Sequence, residues 1–273
     1  MDVLVSGAFG RVGTALIDHL DTTYSFTYFD RSTLSGYESV VGEVNDYETF
    51  EPAFQGQDAV VHLAAAAAVD SDWNEVLESN IIGVRNCLRA ARENEVETVV
   101  FASSNHVVGM YEEEHAPALY ERDYPLHLDH TTPVRPDSYY GTSKIWGESL
   151  CRYFVENFEY PKRTYQLRLC SVRYPEYDHP YGDAERGVDN EAWERGSEAY
   201  DEAVARLKAM WHSRRDVANL VECCLEDDEV EFGVFYGVSD NSRRWVDIEH
   251  ANSVLGYEPS DSADEWEHPP KGP

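Results

Sequence analysis

Three glycines near the start of the chain constrain its fold more than any other feature. Gly7, Gly10 and Gly13 lie in the segment SGAFGRVG, between a short apolar run and an amphipathic run. Glycines at this spacing allow a tight turn and close packing of a helix on a strand, and free N–H groups at the helix start attract phosphate. The pattern predicts a βαβ unit that binds a dinucleotide; a chance cluster of glycines is the alternative.

Short β-branched or aromatic runs alternate with helix-length segments through the first two-thirds of the chain. The predicted strands are 2–7, 24–30, 58–64, 96–104 and 164–170, and the predicted helices are 10–20, 73–94 and 138–157. Alternation of this kind implies βαβ units and a parallel sheet with helices on both faces. We therefore predict an α/β fold with a doubly wound parallel sheet, the Rossmann fold.

The last part of the chain is predicted to form a small C-terminal substrate-binding portion. We expect residues 171–273 to be partly woven into a dinucleotide-binding domain of residues 1–170. The segment 171–197 is rich in Pro, Gly, Tyr and Asp and shows no sustained period. Because it leaves the sheet where ligands bind in such folds, we favour a substrate lid over a disordered insert. The remaining predicted elements are a helix at 198–212, a strand at 232–239, a helix ended by Gly256 and a loose tail at 265–273.

The chain carries far more acidic than basic side chains. Asp and Glu number 52 against 22 Lys and Arg, which gives a formal net charge of −30. Such a charge repels phosphate backbones, so we expect no nucleic-acid partner. An acidic partner-binding tail, a calcium-binding surface and adaptation to concentrated salt are the alternatives. We favour salt adaptation because the charges are spread along the chain and no EF-hand-type loop occurs.

Cysteine usage and hydropathy predict the compartment. The five cysteines are an odd number without C-x-x-C spacing, so we predict neither a disulfide framework nor a metal site. No apolar run approaches about 18 residues, so no membrane span is predicted. The first predicted strand begins almost at Met1, which leaves no room for a leader peptide. We therefore expect a reduced, cytoplasmic protein.

The end of the second predicted strand bears on the choice of cofactor. Asp30 follows the glycines by roughly 20 residues, in position to accept hydrogen bonds from an adenosine ribose, as NAD requires. A turn-forming or capping aspartate is the alternative. Arg11 and Arg31 nearby are able to hold the extra phosphate of NADP instead. We favour NAD and leave dual use open.

The segment SYYGTSKIWGESL, at 138–150, supplies the candidate catalytic pair Tyr140 and Lys144. On a helix these two positions lie on one face about one turn apart. A tyrosine with a pKa near 10 is a poor base at neutral pH, and a neighbouring ammonium draws that pKa toward the operating range. Lysine is scarce in this chain, with four residues in all. Retention of Lys144 therefore supports a catalytic role.

Four polar residues, Ser103, Ser104, Asn105 and His106, follow one another where a predicted strand reaches the crevice. A hydroxyl there can hydrogen-bond the oxygen of a reacting alcohol or carbonyl, and Asn and His can address other hydroxyls. A polar turn capped by serine side chains is the alternative. We favour the functional interpretation.

Several motifs together resemble an extended short-chain dehydrogenase/reductase of the NAD-dependent epimerase/dehydratase superfamily. They are the glycine loop at 7–13, HLAAAA at 62–67, NIIG at 80–83, FASSNH at 101–106, YGTSK with GE at 140–148, and RRDVANL at 214–220. The resemblance covers nearly the whole chain. ASSNH combined with LGY near the end most resembles the compact sugar dehydrogenases, namely uronate dehydrogenase and the haloarchaeal glucose-6-phosphate and L-arabinose dehydrogenases.

The resemblance implies roles for single residues. Ser104, Tyr140 and Lys144 would be catalytic, and Lys144 would also reach the nicotinamide ribose. The implied sugar-binding residues are Ser104, Asn105, His106, Tyr140 and Arg206. The residues expected to bind NAD or NADP are Gly7, Gly10, Arg11, Val12, Gly13, Asp30, Arg31, Leu63, Ala64, Asn80, Tyr140 and Lys144. The segment 171–197 is longer than in uronate dehydrogenases, which leaves the substrate open.

Together these features predict an NAD(P)-dependent aldose 1-dehydrogenase that yields an aldonolactone. Arg206 and Arg173 are able to clamp a carboxylate or phosphate, yet the aromatic and acidic segment 171–197 suits a neutral ring. We place a neutral pentose such as L-arabinose first, glucose 6-phosphate second and a uronate third. An NAD-dependent nucleotide-sugar epimerase or dehydratase is the alternative, although such enzymes carry a larger carboxy-terminal domain.

A nucleotide-sensing regulatory protein of the same fold is a third possibility, but it need not retain Tyr140. The resemblance also implies a homodimer or homotetramer. In the resembled family, the long helices, here predicted at 72–94 and 138–157, commonly build a four-helix interface between subunits.

Overall fold

The computed structural model describes residues 1–270. Its strands are β1 (Asp2–Ser6), β2 (Ser25–Asp30), β3 (Val40–Val41), β4 (Ala59–His62), β5 (Thr98–Ser104), β6 (Arg163–Leu169) and β7 (Phe232–Gly237). They form one sheet in the order β3-β2-β1-β4-β5-β6-β7, and every neighbouring pair is parallel. The chain reverses its direction of progress between β1 and β4, where such sheets open a crevice. The predicted doubly wound α/β fold is confirmed.

Helices cover both faces of the sheet. They are α1 (Arg11–Leu20), α2 (Tyr47–Phe50), α3 (Trp73–Val76), α4 (Gly83–Glu93), α5 (Gly109–His115), α6 (Tyr139–Asn157), α7 (Gly182–Asp189), α8 (Glu198–Met210), α9 (Arg214–Glu226) and α10 (Glu249–Leu255). A π-helical turn at Leu77–Ile82 joins α3 to α4, so the helix predicted at 73–94 is continuous but locally widened. Within residues 1–270, no helix has the length and apolar character that a membrane span requires.

The core lies on both faces of the sheet. Val3 and Val5 of β1 point into one cluster, which α1 and α9 complete, whereas Leu4 points into a second cluster that includes α4 and α6. Alternate residues of a strand face opposite sides, and a parallel sheet buried on both sides needs apolar residues at consecutive positions. This explains why the run VLV at the start of the chain is apolar throughout.

Residues 171–270 contribute both to the sheet and to the rim of the crevice. β7 pairs with β6, with Leu169 opposite Gly237, and α9 packs against α1. The residues between β6 and α8 lie beside the carboxyl end of β6 and form one wall of the crevice through Val172, Arg173 and Tyr174.

The segment 171–197 is more regular than we predicted. It contains a 3-10 turn at Pro175–Tyr177 and the helix α7. α7 contains two glycines and several polar residues, so its sequence shows no apolar periodicity that would predict a helix. Tertiary contacts stabilise it instead: the Trp193 indole lies where a Cβ on Gly187 would fall, 2.0 Å from Cε2, and its N–H donates to the Ala184 carbonyl at 2.9 Å.

The expectation of a loose tail at 265–273 is wrong for its first residues. The ammonium of Lys208 donates to the carbonyl of Trp266 at 2.9 Å, and the hydroxyl of Tyr181 donates to the carbonyl of Glu267 at 2.8 Å. Residues 271–273 lie outside the described part of the chain. The first part of the tail is therefore attached to α8 and to the segment before α7.

Candidate active site

A cleft of about 740 Å³ opens at the carboxyl ends of the strands. Doubly wound sheets bind their ligands at this edge. All of the predicted site residues line the cleft except Asn80. Across the described residues, no three His, Cys, Asp or Glu side chains are placed to share a metal ion.

The glycine turn between β1 and α1 forms one end of the cleft. Gly7 has φ +74°, and a Cβ on it would lie 2.6 Å from the backbone nitrogen of Ala64. A Cβ on Gly13 would lie 2.2 Å from the Ala8 carbonyl oxygen. Gly10 precedes α1 without a side-chain cap, so the first N–H groups of this ten-residue helix are left for an anion. The turn fits the pyrophosphate of a dinucleotide.

Asp30 lies at the end of β2 beside this turn. Its Oδ2 accepts a hydrogen bond from the Phe9 amide at 3.0 Å, and its Oδ1 accepts from the hydroxyl of Ser32 at 2.8 Å. These contacts fix the carboxylate at the cleft, where it suits ribose hydroxyls and repels an added phosphate. Arg31 is exposed, and the Arg11 guanidinium lies 5.7 Å from the Tyr174 ring centroid. The geometry fits NAD better than NADP.

Asn80 lies behind the cleft rather than in it. Its Oδ1 accepts from the Ala66 amide at 2.8 Å, and its Nδ2 donates to the Ala66 carbonyl at 3.2 Å and to the Ser143 hydroxyl at 2.9 Å. Asn80 is 1% exposed. Its side chain therefore joins the loop after β4 to α6, and its contact with the cofactor stays a prediction.

Tyr140 and Lys144 lie in the first turns of α6. The helix begins after Ser138, whose hydroxyl accepts from the Gly141 amide at 3.0 Å, and this cap places the pair at the crevice edge of the sheet. The Lys144 ammonium is 5.6 Å from the Tyr140 ring centroid and 4.9 Å from the Phe101 ring centroid. Both side chains are buried, so their ionisation is sensitive to solvent exclusion.

Burial dominates the ionisation of this pair. It lowers the pKa of Lys144 to about 7, because a buried ammonium loses its hydration. Burial also raises the pKa of Tyr140; a hydrogen bond from Ser104 lowers that pKa in part, and the Asp137 carboxylate raises it further. Our expectation that the pKa of Tyr140 is drawn down therefore does not hold for the protein alone.

The residues at the end of β5 and just after it divide into framework and cleft residues. The Ser103 hydroxyl donates to Oε1 of Glu148 at 2.6 Å. Glu148 also accepts from the Arg168 guanidinium at 2.9 Å in a buried pair, so Ser103 is committed to the framework. The amide nitrogen of the Asn105 side chain is buried and has no hydrogen-bond partner within residues 1–270. The Asn105 side chain is therefore left for a ligand, and the Ser104 hydroxyl, which accepts from the His106 amide at 3.2 Å, lines the cleft beside it.

His106 is oriented by a carboxylate that sequence reasoning missed. Its Nδ1 lies 2.6 Å from Oδ2 of Asp137, and Asp137 Oδ1 accepts from the Ser138 hydroxyl at 2.7 Å. The hydrogen bonds from His106 and Ser138 hold the pKa of Asp137 below its ordinary value although burial opposes them. An ionised Asp137 fixes the proton on Nδ1, which leaves Nε2 of His106 as an acceptor for a sugar hydroxyl.

Arg206 reaches the cleft from α8 with its charge already paired. Its Nε donates to Oε1 of Glu112 at 2.7 Å, and its Nη2 donates to Oε2 at 3.2 Å. The Tyr120 hydroxyl donates to the same carboxylate at 2.8 Å. Glu112 belongs to the run YEEE. In so acidic a chain, the sequence does not distinguish a glutamate of the site from the glutamates of the surface.

Comparison with known proteins gives a consistent pattern. Residues 3–190 match the model of the NAD dependent epimerase/dehydratase family. The chain is 35% identical over 276 residues to the NAD-dependent glucose-6-phosphate dehydrogenase of Haloferax volcanii, covering 97% of this chain and 95% of that protein. It is 31% identical to the L-arabinose 1-dehydrogenase (NAD(P)(+)) of the same organism, covering 96% of this chain and 97% of that protein.

A solved structure shows the same likeness. A variant of uronate dehydrogenase from Agrobacterium tumefaciens, complexed with NAD, superimposes with a TM-score of 0.76 at 26% identity. The match covers 100% of this chain and 91% of that protein. The three proteins are named for a sugar phosphate, a neutral pentose and a uronate, so the likeness alone does not rank these sugars.

Proposed function

The chain belongs to the NAD dependent epimerase/dehydratase family, and from this membership we propose that it is an NAD(P)-dependent aldose 1-dehydrogenase. The observation that carries the proposal is one cleft that joins the glycine turn to Tyr140, Lys144 and Ser104. Named relatives that match nearly the full chain are sugar dehydrogenases. The product would be an aldonolactone.

The geometry of the cleft supports a set of residues that would hold the cofactor. The glycine turn and the start of α1 would take the pyrophosphate, Asp30 the adenosine ribose, and Lys144 the nicotinamide ribose. Arg11, Val12, Arg31, Leu63 and Ala64 line the same part of the cleft. NAD(P)⁺ bound there supplies a hydride acceptor for C1 of the sugar.

Tyr140 would act as the base. Its phenolate takes the proton of the anomeric hydroxyl while C1 loses a hydride, so the ring carbon becomes the carbonyl of a lactone and the proton passes to solvent through Tyr140. The Ser104 hydroxyl would hold the reacting oxygen. Lys144, in its protonated form, would stabilise the Tyr140 phenolate. Because burial raises the pKa of Tyr140 in the protein alone, the phenolate has to be stabilised once cofactor and sugar are bound.

For the sugar, we retain a neutral pentose such as L-arabinose as the first choice, glucose 6-phosphate as the second and a uronate as the third. The pairing of Arg206 with Glu112 supports placing the neutral pentose first, because an anion finds less free positive charge there. Asn105 and His106 would bind neutral hydroxyls as donor and acceptor.

The test is an initial-rate panel of these sugars with NAD⁺ and NADP⁺ in molar KCl. We expect steady formation of reduced cofactor with at least one free aldose, faster with NAD⁺. Absence of turnover with every free sugar would exclude the dehydrogenase. Tightly retained NAD together with turnover of a sugar nucleotide would instead support the alternative, an epimerase or dehydratase.

We also propose that the protein is a homodimer, or a homotetramer built from such dimers. Large aromatic side chains are exposed along α3 and α6, with Trp73 at 51%, Tyr139 at 58% and Tyr153 at 50%. A second copy would cover them.

All five cysteines are free thiols, which supports the expected cytoplasmic setting.

A further inference from the structure

Two of the arginines that line the cleft, Arg173 and Arg206, are each already bound to a carboxylate. Glu112 holds Arg206 through two hydrogen bonds, with the two side chains 10% and 31% exposed. Asp183 holds Arg173, with the side chains 15% and 11% exposed. Arg173 Nε donates to Asp183 Oδ1 at 2.7 Å, and its Nη1 donates to the Val172 carbonyl at 2.9 Å.

At Arg206, an anionic sugar would meet a charge that Glu112 already neutralises. To clamp Arg206 with a phosphate or carboxylate, the sugar has to displace Glu112 or lie beside it. Two like charges within about 4–6 Å disfavour each other, and a displaced Glu112 would lose the partners that satisfy it, Arg206 and Tyr120. Either route removes the gain that a bidentate arginine contact normally provides.

A neutral sugar has no such conflict. Nε and Nη2 of Arg206 are both used in the pair with Glu112, which leaves Nη1 outside that pair. The side-chain amide of Asn105 is a second unused donor. Both donors suit hydroxyl oxygens, and neither requires the Glu112–Arg206 pair to open.

We propose that Glu112 is a specificity-determining residue that restricts this site to uncharged aldoses by neutralising Arg206. The proposal rests on the proposed function, because it assumes that the cleft binds a free sugar. It implies that the charge of Glu112, rather than the shape of the pocket, disfavours phosphorylated sugars and uronates.

Two pairs of sugars test the proposal. L-arabinose and D-galacturonate share their configuration at the ring hydroxyls and differ by a carboxylate, and D-glucose and glucose 6-phosphate differ by a phosphate. We expect the wild-type protein to show a higher kcat/KM for the neutral member of each pair. In Glu112→Gln, the ratio should shift toward the anionic member by about 10- to 100-fold, the range of a charge-assisted contact.

The controls separate charge from shape. Glu113→Gln removes the same charge from an exposed neighbour on α5 and should leave the ratio unchanged. Glu112→Asp retains the charge and should keep the wild-type preference. Glu112→Gln combined with Arg206→Ala should lose the gain for anionic sugars, because the gain is expected to act through Arg206. Melting curves show whether each variant is folded.

Calorimetric dissociation constants for the same sugars keep the two hypotheses distinguishable. If no sugar is oxidised but Glu112→Gln binds D-galacturonate more tightly than wild type, the proposed function fails and the role of Glu112 stands. The role of Glu112 is refuted if wild type prefers the anionic sugars, if Glu112→Gln lowers every rate equally, or if Glu113→Gln gives the same shift.

Discussion

Tyr140 is buried, and burial raises its pKa, so its use as a base depends on the groups around it. Tyr140→Phe removes the proton acceptor and leaves the ring in place. We expect turnover to fall at least about 1,000-fold, at the strong end of general-base contributions, with NAD binding retained in a fluorescence titration. Tyr139→Phe, at the exposed neighbouring position, should behave as wild type. Substantial activity in Tyr140→Phe would overturn the mechanism.

Lys144 provides a test that needs no cofactor. Burial lowers its pKa from 10.5 to about 7, so the unfolded chain binds more protons between these pH values and stability rises with pH in that window. At pH 6 the folded protein buries an ammonium at a cost of up to about 5 kcal/mol.

Replacing Lys144 by Met should therefore stabilise the protein without cofactor at pH 6, and the difference in melting temperature should shrink as the pH approaches 10. The comparison isolates Lys144 because the other groups titrate in both proteins. A difference that does not change with pH would show that the ammonium is well solvated in the folded state.

At the scale of single residues, motif positions were predictable and their partners were not. Tyr140, Lys144, Asp30 and the glycines stand at spacings that physical chemistry explains. Asp137 and Glu112 carry no such spacing, because Glu112 pairs with a residue 94 positions away in a chain with 52 acidic side chains. Asn80 was placed in the cleft because a motif does not show which way a side chain faces.

At the scale of elements, the contact between α1 and the glycine turn can be tested by stability alone. A Cβ on Gly13 would lie 2.2 Å from the Ala8 carbonyl oxygen, whereas a Cβ on Gly10 would lie 3.4 Å from the Gly7 carbonyl oxygen. Gly13→Ala should therefore lower the free energy of unfolding by about 1 to 3 kcal/mol. Denaturant titration measures it, and Gly10→Ala should unfold close to wild type. Equal stabilities for both variants would contradict the tight contact.

β3, α2, α5 and α9 were not predicted. The other strands and most of the other helices were predictable because apolar runs and turn residues mark them locally. α7 was not, because its stability comes from Trp193 and from packing on α8 rather than from its own sequence. The attachment of the tail through Trp266 and Glu267 was not predictable either. Backbone carbonyl groups accept these hydrogen bonds, and every residue carries a carbonyl.

For the whole molecule, the net charge of −30 predicts a stability that depends on salt. Self-repulsion among the carboxylates weakens as the Debye length falls from about 10 Å at 0.1 M to about 3 Å at 1 M. The melting temperature should therefore rise steadily with KCl over this range, measured by tryptophan fluorescence. A melting temperature independent of KCl would contradict the interpretation of the acidic surface as adaptation to salt.

The family match confirms the resemblance to extended short-chain dehydrogenases and reductases. This resemblance rested on motifs spread over nearly the whole chain. The doubly wound parallel sheet also followed from the alternation of strands and helices. The sugar did not, because charged groups that meet only in the folded cleft, such as Glu112 and Arg206, lie far apart in the sequence.

The position of the oxidised carbon distinguishes a C1 dehydrogenase from the alternative enzymes of this family. A sugar that the panel identifies, isotopically labelled at C1, is incubated with the protein and NAD⁺ in molar KCl and followed by NMR. We predict that the labelled carbon becomes the carbonyl of a lactone or its aldonate, with one reduced cofactor formed per product molecule. Oxidation at another carbon, or a rearranged sugar without net reduction of NAD⁺, would contradict the account.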